Sequence, residues 1–153
     1  MRVILASDHR GYGMKEEIKK WLKEKDIEFF DEGCFSEESC DYPDYSIKAA
    51  EKVSKGEFDL GLFFCHTGQG MVISANKVKG VRAALVFKSE IGKLSKEHNN
   101  ANVLCFPAGY IDLDEVKSAI LGWIEAEFKE ERHKRRIEKI KKYEEITSNK
   151  AKG

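Results

Sequence analysis

The sequence predicts an α/β protein in which a mostly parallel sheet of five strands lies between two layers of helices. Five short apolar runs are nearly continuous rather than alternating, as expected for strands that are buried on both faces of a parallel sheet. Helical patterns separate these runs and give the order βαβαβαβαβα. With 153 residues, the chain is long enough for one compact domain with a sizeable core.

Each strand is predicted from a run rich in β-branched, aromatic and leucine residues. The runs are RVILA (2–6), IEFF (27–30), LGLFF (60–64), RAALVF (82–87) and NVLCF (102–106). The first helix is predicted from apolar residues that share one face, namely Met14, Ile18, Trp21 and Leu22. The fifth is predicted in the same way from Val116, Ala119, Ile120, Trp123 and Ile124. Asp112 and Glu115 precede this helix with the spacing of a capping box.

The last part of the chain has a different character from the α/β domain, which is predicted to span residues 1–128. From residue 129 onward Lys and Arg number 10 against 5 acidic residues, although the whole chain is formally neutral. A basic helix is predicted over 129–147, with one narrow apolar stripe at Ile137, Ile140, Tyr143 and Ile146. Such a helix either packs on a neighbouring subunit or lies free on the surface. Residues 148–153 are expected to be disordered.

Composition argues against several classes of function. No apolar run approaches the ~20 residues of a membrane span, and the first residues do not resemble a secretory signal, so a cytoplasmic protein without a membrane partner is expected. The basic cluster carries no interleaved aromatic residues, so nucleic acid is not an expected partner. Neither a disulfide nor a metal site is expected, because no CxxC pair occurs among Cys34, Cys40, Cys65 and Cys105.

Ligands of parallel sheets bind beyond the carboxyl ends of the strands, so the strand exits are the candidate site. The third strand ends in CHTGQGM, which puts Cys65 directly before a loop with two glycines and the start of a helix. The N–H groups and partial positive charge of such a start can lower the pKa of a thiol and hold an anion. An inert buried cysteine beside turn glycines explains the same stretch equally well.

Two histidine segments favour the functional interpretation. SDH at the first strand exit offers Asp8 and His9, and EHNN at the end of the fourth helix offers His98 and Asn99. Either histidine alone is more often a surface or core residue, but several segments with acid, base or amide groups indicate a site.

Three other motifs do not fit the sequence. GYGMKE has Glu16 where a dinucleotide loop has its third glycine, and GKL at 92–94 lacks the rest of a Walker loop. A cysteine-dependent phosphatase needs an arginine at position 71, which is Met71.

Taken together, the motifs resemble those of the ribose-5-phosphate isomerase B family, which includes galactose 6-phosphate and allose 6-phosphate isomerases. The segments that carry the resemblance are SDHRG, DYPDY, CHTGQGM, ISANK, GVRAAL, EHNNANVLC and ERHKRRIEKI, collinear from about residue 2 to residue 140. The resemblance implies a Rossmann-like α/β/α sandwich that forms dimers or tetramers of identical chains. It also implies active sites shared between subunits, a sugar phosphate as the substrate, and no metal or cofactor.

The resemblance further implies a role for each matching residue. Cys65 matches the base that moves a proton between C1 and C2, Thr67 its support, and His98 the acid that assists ring opening. The loop amides of His66, Gly68, Gln69 and Gly70 match the groups that stabilise the enediolate. Asp8, His9 and Asn99 match residues that bind sugar hydroxyls. Arg132 and Arg136 match arginines that reach the phosphate from the partner subunit.

Three positions depart from the family pattern. His66 replaces a glycine and Gln69 replaces an apolar residue, and Gly109 stands where the family has a further phosphate-binding arginine. Either Lys88 or another cation compensates for that arginine, or the substrate is not ribose 5-phosphate. On the resemblance as a whole, we expect a ribose 5-phosphate isomerase. An isomerase of another sugar phosphate and a catalytically silent sugar-phosphate-binding subunit are the alternatives.

Overall fold

All five strands form one parallel sheet, in the order β2-β1-β3-β5-β4. The structure is a computed structural model and describes residues 1–152. The strands are β1 (Arg2–Ser7), β2 (Glu28–Asp31), β3 (Leu60–Cys65), β4 (Ala83–Leu85) and β5 (Val103–Pro107). Each strand falls on one of the predicted runs, so the predicted five-stranded sheet is confirmed.

Helices cover both faces of this sheet and complete the predicted three-layer sandwich. They are α1 (Tyr12–Glu24), α2 (Tyr42–Ser54), α3 (Gln69–Ala75), α4 (Ser89–Asn99), α5 (Leu113–Glu125) and α6 (Glu131–Lys152). Side chains of α1, α4 and α5 pack in one core cluster, and those of α2 and α3 pack in the other. None of the helices in residues 1–152 is both long and apolar enough to cross a bilayer.

Strand β1 shows why the apolar runs are continuous. Its residues alternate between the two clusters: Val3 and Leu5 face one, while Ile4 and Ala6 face the other. Successive side chains of a strand point to opposite faces, and here both faces are buried. Consecutive positions in the middle of such a strand are therefore apolar, which removes the alternation of a half-exposed strand.

A fully buried lysine ties α1 to the end of β2. The ammonium group of Lys15 lies 2.6 and 2.7 Å from the two carboxylate oxygens of Asp31, and it donates to the carbonyl of Cys34 at 2.7 Å. Lys19 donates to the same carboxylate at 2.8 Å. These bonds satisfy the buried charge and fix the segment after β2 against the helix.

The start of α5 confirms half of the predicted capping box. The Asp112 carboxylate accepts the backbone N–H of Glu115 at 2.9 Å. The Glu115 carboxylate accepts the backbone N–H of Ser89 at 2.8 Å instead of returning to Asp112. It thereby links the beginnings of α4 and α5.

Helix α6 continues further than the sequence indicates. Residues 148–152, which we expected to be disordered, continue the helix, and they contain no proline or glycine to end it. Gly153 lies outside the described residues. Ile137 is buried, whereas Ile140, Tyr143 and Ile146 of the same stripe are exposed. Packing of α6 on a partner subunit stays a prediction.

Candidate active site

Cys65 ends β3 at the carboxyl edge of the sheet, opposite Pro107 of β5. The residue is only 4% exposed. Backbone N–H groups of Gly68, Gly70 and Met71 lie close enough to its sulfur to affect its pKa. The chain turns through Gly68 with φ +76°, a conformation that favours glycine, and this turn brings the N–H groups back towards the thiol.

The pKa of Cys65 is raised, not lowered as the sequence analysis predicted. Burial is the main cause, and the negative charge of Asp8 adds to it. The N–H groups of Gly68, Gly70 and Met71 act in the opposite direction. A helix start alone therefore does not make this thiol acidic, because burial of the thiolate outweighs the N–H groups.

Asp8 and His9 lie at the same edge of the sheet, beyond β1. One carboxylate oxygen of Asp8 accepts the backbone N–H groups of Arg10 and Gly11, both at 2.9 Å. The Nδ1 atom of His9 accepts the backbone N–H of Cys40 at 3.2 Å. A neutral His9 ring in this arrangement carries its proton on Nε2, which makes Nε2 a donor.

Tyr42, for which the sequence alone predicts no role, closes one side of the glycine loop. A Cβ atom added to Gly70 would lie 2.7 Å from the Tyr42 ring. The DYPDY segment was the available signal, but no role was inferred for its first tyrosine.

The loop itself is partly exposed. Thr67 and Gln69 are exposed, and the Thr67 hydroxyl accepts the backbone N–H of Gln69 at 3.4 Å. Within residues 1–150, no hydrogen bond joins Thr67 to Cys65.

The His66 side chain lies against the loop that follows β5. The two loops are joined by backbone hydrogen bonds from Ala108 to Cys65 (2.8 Å) and from Gly109 to His66 (2.9 Å). The His66 ring lies 5.3 Å from the ring of Tyr110. It fills the space beside Gly109, since a Cβ there would lie 2.2 Å from His66 Cε1.

His98 and Asn99 lie at the opposite edge of the sheet from Cys65. They end α4, which runs back from the carboxyl end of β4, and the chain then enters β5 at Val103. Strand β5 spans the sheet from Val103, opposite Gly61, to Pro107, opposite Cys65. At about 3.3 Å per residue, this separation is roughly 13 Å. One chain therefore does not bring His98 and Cys65 together.

Arg132 and Arg136 of α6 lie near His98, at the edge of the sheet opposite Cys65. The His98 ring stacks on the buried ring of His133, with centroids 4.6 Å apart and planes at 18°. The pKa of His133 is lowered by burial and then by the positive charges of Arg132, His98 and Arg136. We call these four residues the amino-edge cluster. His133 was not predicted, although it stands between the two arginines in RHKRR.

A groove lies on the surface away from Cys65, and no metal site is found among the described residues. The groove, of about 890 Å³, runs between α6 and residues 76–84. Within the described part of the chain, no group of three or more His, Cys, Asp or Glu side chains could hold a metal ion.

Comparison with known proteins decides the family. Residues 3–140 match the model of the ribose/galactose isomerase family. The chain belongs to this family. Ribose-5-phosphate isomerase B of Escherichia coli is 37% identical over 139 residues, which cover 91% of this isomerase and 93% of the relative. The isomerase is accordingly an enzyme of the aldose–ketose class, and the resemblance found in its motifs is confirmed.

Solved structures agree with this family. Ribose-5-phosphate isomerase B of Clostridium thermocellum superposes on the isomerase with a TM-score of 0.93 at 41% identity, over 96% and 99% of the two chains. The Mycoplasma genitalium enzyme, solved with bound ribulose 5-phosphate, gives a TM-score of 0.89 at 40% identity, over 94% and 96%. The predicted Rossmann-like fold is therefore confirmed.

Proposed function

We propose that the isomerase interconverts ribose 5-phosphate and ribulose 5-phosphate, with the Cys65 thiolate as the base. The observation that carries the proposal is the position of Cys65: a thiol at the carboxyl edge, with backbone N–H groups of Gly68, Gly70 and Met71 around it. The relative solved with bound ribulose 5-phosphate supports this choice of substrate.

The chemistry requires one base and a set of donors. The thiolate takes the proton from C2 of the open-chain aldose, and the electron pair moves to the C1 oxygen to give an enediolate. The proton of the C2 hydroxyl passes to the C1 oxygen, and the thiol returns its proton to C1 as the C2 oxygen becomes the ketone, so neither oxidant nor cofactor is consumed. The loop N–H groups from His66 to Gly70 stabilise the charged oxygen, and Thr67 supports the thiolate.

A second copy of the chain completes this site. The raised pKa of Cys65 leaves little thiolate near neutral pH in one chain alone, and positive charge brought near the thiol lowers its pKa. The amino-edge cluster carries such charge but lies at the other edge of the same sheet. In a symmetric pair, His98, Arg132 and Arg136 of one copy face Cys65 of the other. We therefore propose a homodimer, or a dimer of dimers.

Three sets of residues then contact different parts of the substrate. His98 acts as the acid in ring opening, and Arg132 and Arg136 hold the phosphate, because guanidinium groups suit phosphate oxygens. Asp8 and His9 of one copy and Asn99 of the other bind sugar hydroxyls. One Asp8 oxygen is engaged by two backbone N–H groups, which leaves its second oxygen to accept from a hydroxyl.

The exposed stripe of α6 supports association. Ile140, Tyr143 and Ile146 are 50%, 68% and 45% exposed and continue the line begun by the buried Ile137. A contiguous apolar surface of this kind is typical of a protein–protein contact. It borders the groove between α6 and residues 76–84.

Activity of the wild type and of Cys65→Ala tests the base. We expect turnover of ribose 5-phosphate by the wild type and a loss of at least about a hundredfold in the variant, as for removal of a general base. Cys105→Ala is the matched control, since Cys105 is fully buried in the neighbouring strand. Turnover of galactose 6-phosphate or allose 6-phosphate alone would favour another substrate, and no turnover of any of these sugars would favour a silent binding subunit.

Mixed dimers test the shared site. Cys65→Ala and His98→Ala chains, each inactive alone, are unfolded and refolded together. If each site uses Cys65 of one copy and His98 of the other, random pairing restores about a quarter of the wild-type activity. No recovery, despite dimers that contain both chains, would place both residues in one chain's site.

A further inference from the structure

His66 lies where a side chain at position 109 would otherwise extend. The backbone bond from Gly109 N–H to the carbonyl of His66 fixes the two residues side by side. A Cβ at position 109 would lie 2.2 Å from Cε1 and 2.3 Å from Nδ1 of the His66 ring. The ring and any residue at 109 therefore compete for one place on the wall of the site.

The charges around Cys65 are distributed unevenly. On the β1 side, the buried carboxylate of Asp8 lies near enough to raise the pKa of the thiol. A phosphate dianion is repelled by this carboxylate, which instead attracts the hydroxyl donors of a sugar. On the β5 side, the His66 ring lies against the loop after β5, 5.3 Å from the ring of Tyr110, and its imidazole N–H can donate a hydrogen bond. The phosphate end of a bound substrate is thus favoured on the His66 side.

We propose that His66 is a phosphate-recognition residue of this isomerase, donating an imidazole N–H to the substrate's phosphate from the place that Gly109 leaves open. The inference rests on the proposed function, since it assumes a sugar phosphate lying across Cys65. It assigns the β5 side of the site to the phosphate and the β1 side to the sugar hydroxyls. Arg132 and Arg136 of a second copy approach the same phosphate from outside.

Binding measured without turnover separates this inference from the proposed chemistry. Ribose 5-phosphate is titrated calorimetrically into the Cys65→Ala protein and into the same protein with one further substitution. His66→Phe keeps a ring of similar size but has no donor. His66→Asn and His66→Gln place an amide N–H near the positions of Nδ1 and Nε2. Tyr110→Phe, which removes only the neighbouring hydroxyl, is the control for the wall.

A hydrogen bond to a charged group is lost only in the phenylalanine variant. We expect Kd to rise about ten- to a hundredfold in His66→Phe and to stay within about threefold of the parent in His66→Asn or His66→Gln. Equal affinity of the Phe variant and the parent would overturn the inference, as would equal weakening in all three His66 variants. If Cys65→Ala keeps its activity, the catalytic proposal is wrong, and the role of His66 is then judged from these affinities alone.

A double-mutant cycle tests whether positions 66 and 109 serve one subsite. His66→Gly is expected to raise Kd about tenfold or more with Gly109 in place, and by less than about threefold in a Gly109→Arg background, where the arginine supplies the phosphate contact. Thermal melting of each variant shows that it is folded. If His66→Gly costs the same in both backgrounds, the two positions do not share a phosphate subsite and the inference is wrong.

Discussion

The ring of His98 stacks on the ring of His133, so that α6 is joined to the end of α4 at the amino edge of the sheet. Burial, followed by the charges of Arg132, His98 and Arg136, lowers the pKa of His133. The folded chain thus favours the neutral ring. As the pH falls through the ordinary value of about 6.5, the unfolded chain binds a proton that the folded chain resists.

We therefore expect His133 to make the folded protein less stable towards acid. The melting temperature of the wild type should fall between pH 7.5 and pH 5.5, and it should fall less in His133→Phe, which keeps a stacking ring that does not titrate. The other histidines are common to both proteins, so the difference isolates position 133. An identical decrease in both would contradict the lowered pKa.

Asp8→Asn should make Cys65 more reactive. The Asp8 charge raises the pKa of the thiol, after the larger effect of burial, and asparagine removes the charge while keeping an oxygen for the N–H groups of Arg10 and Gly11. The pH profile of alkylation by iodoacetamide, followed at the Cys65 peptide by mass spectrometry, should shift to lower pH. Free N-acetylcysteine, alkylated under the same conditions, gives the reference, because the Asp8 charge also contributes to the raised pKa of Cys40. A Cys65 profile that does not move in the variant would rule out an effect of Asp8.

Asp31→Asn should be strongly destabilising, because it leaves the fully buried Lys15 ammonium without its counter-charge. Breaking one side of a buried pair costs about 3–5 kcal/mol in free energy of unfolding. Lys19→Met, at a partly exposed partner of the same carboxylate, should cost less than about 1 kcal/mol. Urea denaturation of both variants measures this difference, and similar losses would mean that the burial of Lys15 is unimportant.

The ion pair between Lys15 and Asp31 also makes the stability of the folded protein depend on pH in the acid range. Burial of Asp31 raises its pKa, but hydrogen bonds from Lys15 and Lys19 more than offset this and leave the pKa below its ordinary value. The pair contributes its full stability above pH about 3.9, and that contribution is lost as the pH falls through the lower pKa of the folded state. Denaturation midpoints between pH 5 and pH 2 should decrease more steeply in the wild type than in Asp31→Asn.

Gly68→Ala should distort the glycine loop that follows Cys65. Gly68 has φ +76°, and a Cβ there would lie 2.5 Å from Leu85 and 3.3 Å from the backbone nitrogen of Pro107. We expect a loss of about 2 kcal/mol in stability and a marked loss of turnover as the N–H groups leave Cys65. Gly13→Ala is the matched control, since nothing lies within 4 Å of its added methyl group, and it should stabilise α1 by about 0.5 kcal/mol. Turnover equal to that of the wild type in Gly68→Ala would show that the turn is not required.

Much of this architecture could be predicted because its signals are local. The five apolar runs identify strands buried on both faces, and the position of Cys65 at a strand exit follows from them. The amphipathic spacing in α1 even contains a signal that was overlooked: Lys15 shares the buried face with Ile18 and Leu22, where a charged residue needs a partner.

Other features depend on contacts that sequence spacing does not contain. Nothing local indicates that β5 lies between β3 and β4 in the sheet. The edge at which His98 lies could have been inferred, since a helix that follows a parallel strand returns the chain to the amino edge. The contact of His66 with Gly109 could not, because it arises where the loops after β3 and β5 meet. The raised pKa of Cys65 depends on how deeply the thiol is buried, which its sequence neighbours do not reveal.

The His66 ring occupies the space that a side chain at position 109 would need, and this constrains the order in which substitutions at the two positions can arise in evolution. With the imidazole ring present, any side chain that arises at position 109 must first displace it, so most substitutions there are costly in this background. A lineage that exchanges the histidine for a cation at 109, or the reverse, passes most easily through an intermediate with glycine at both positions. If His66 binds the phosphate as proposed, that intermediate lacks a phosphate contact at both positions, and it survives only where substrate is plentiful or where the proposed arginines of a second copy suffice. The two positions are therefore expected to vary together among descendants of this chain, with a histidine at one accompanied by a glycine at the other.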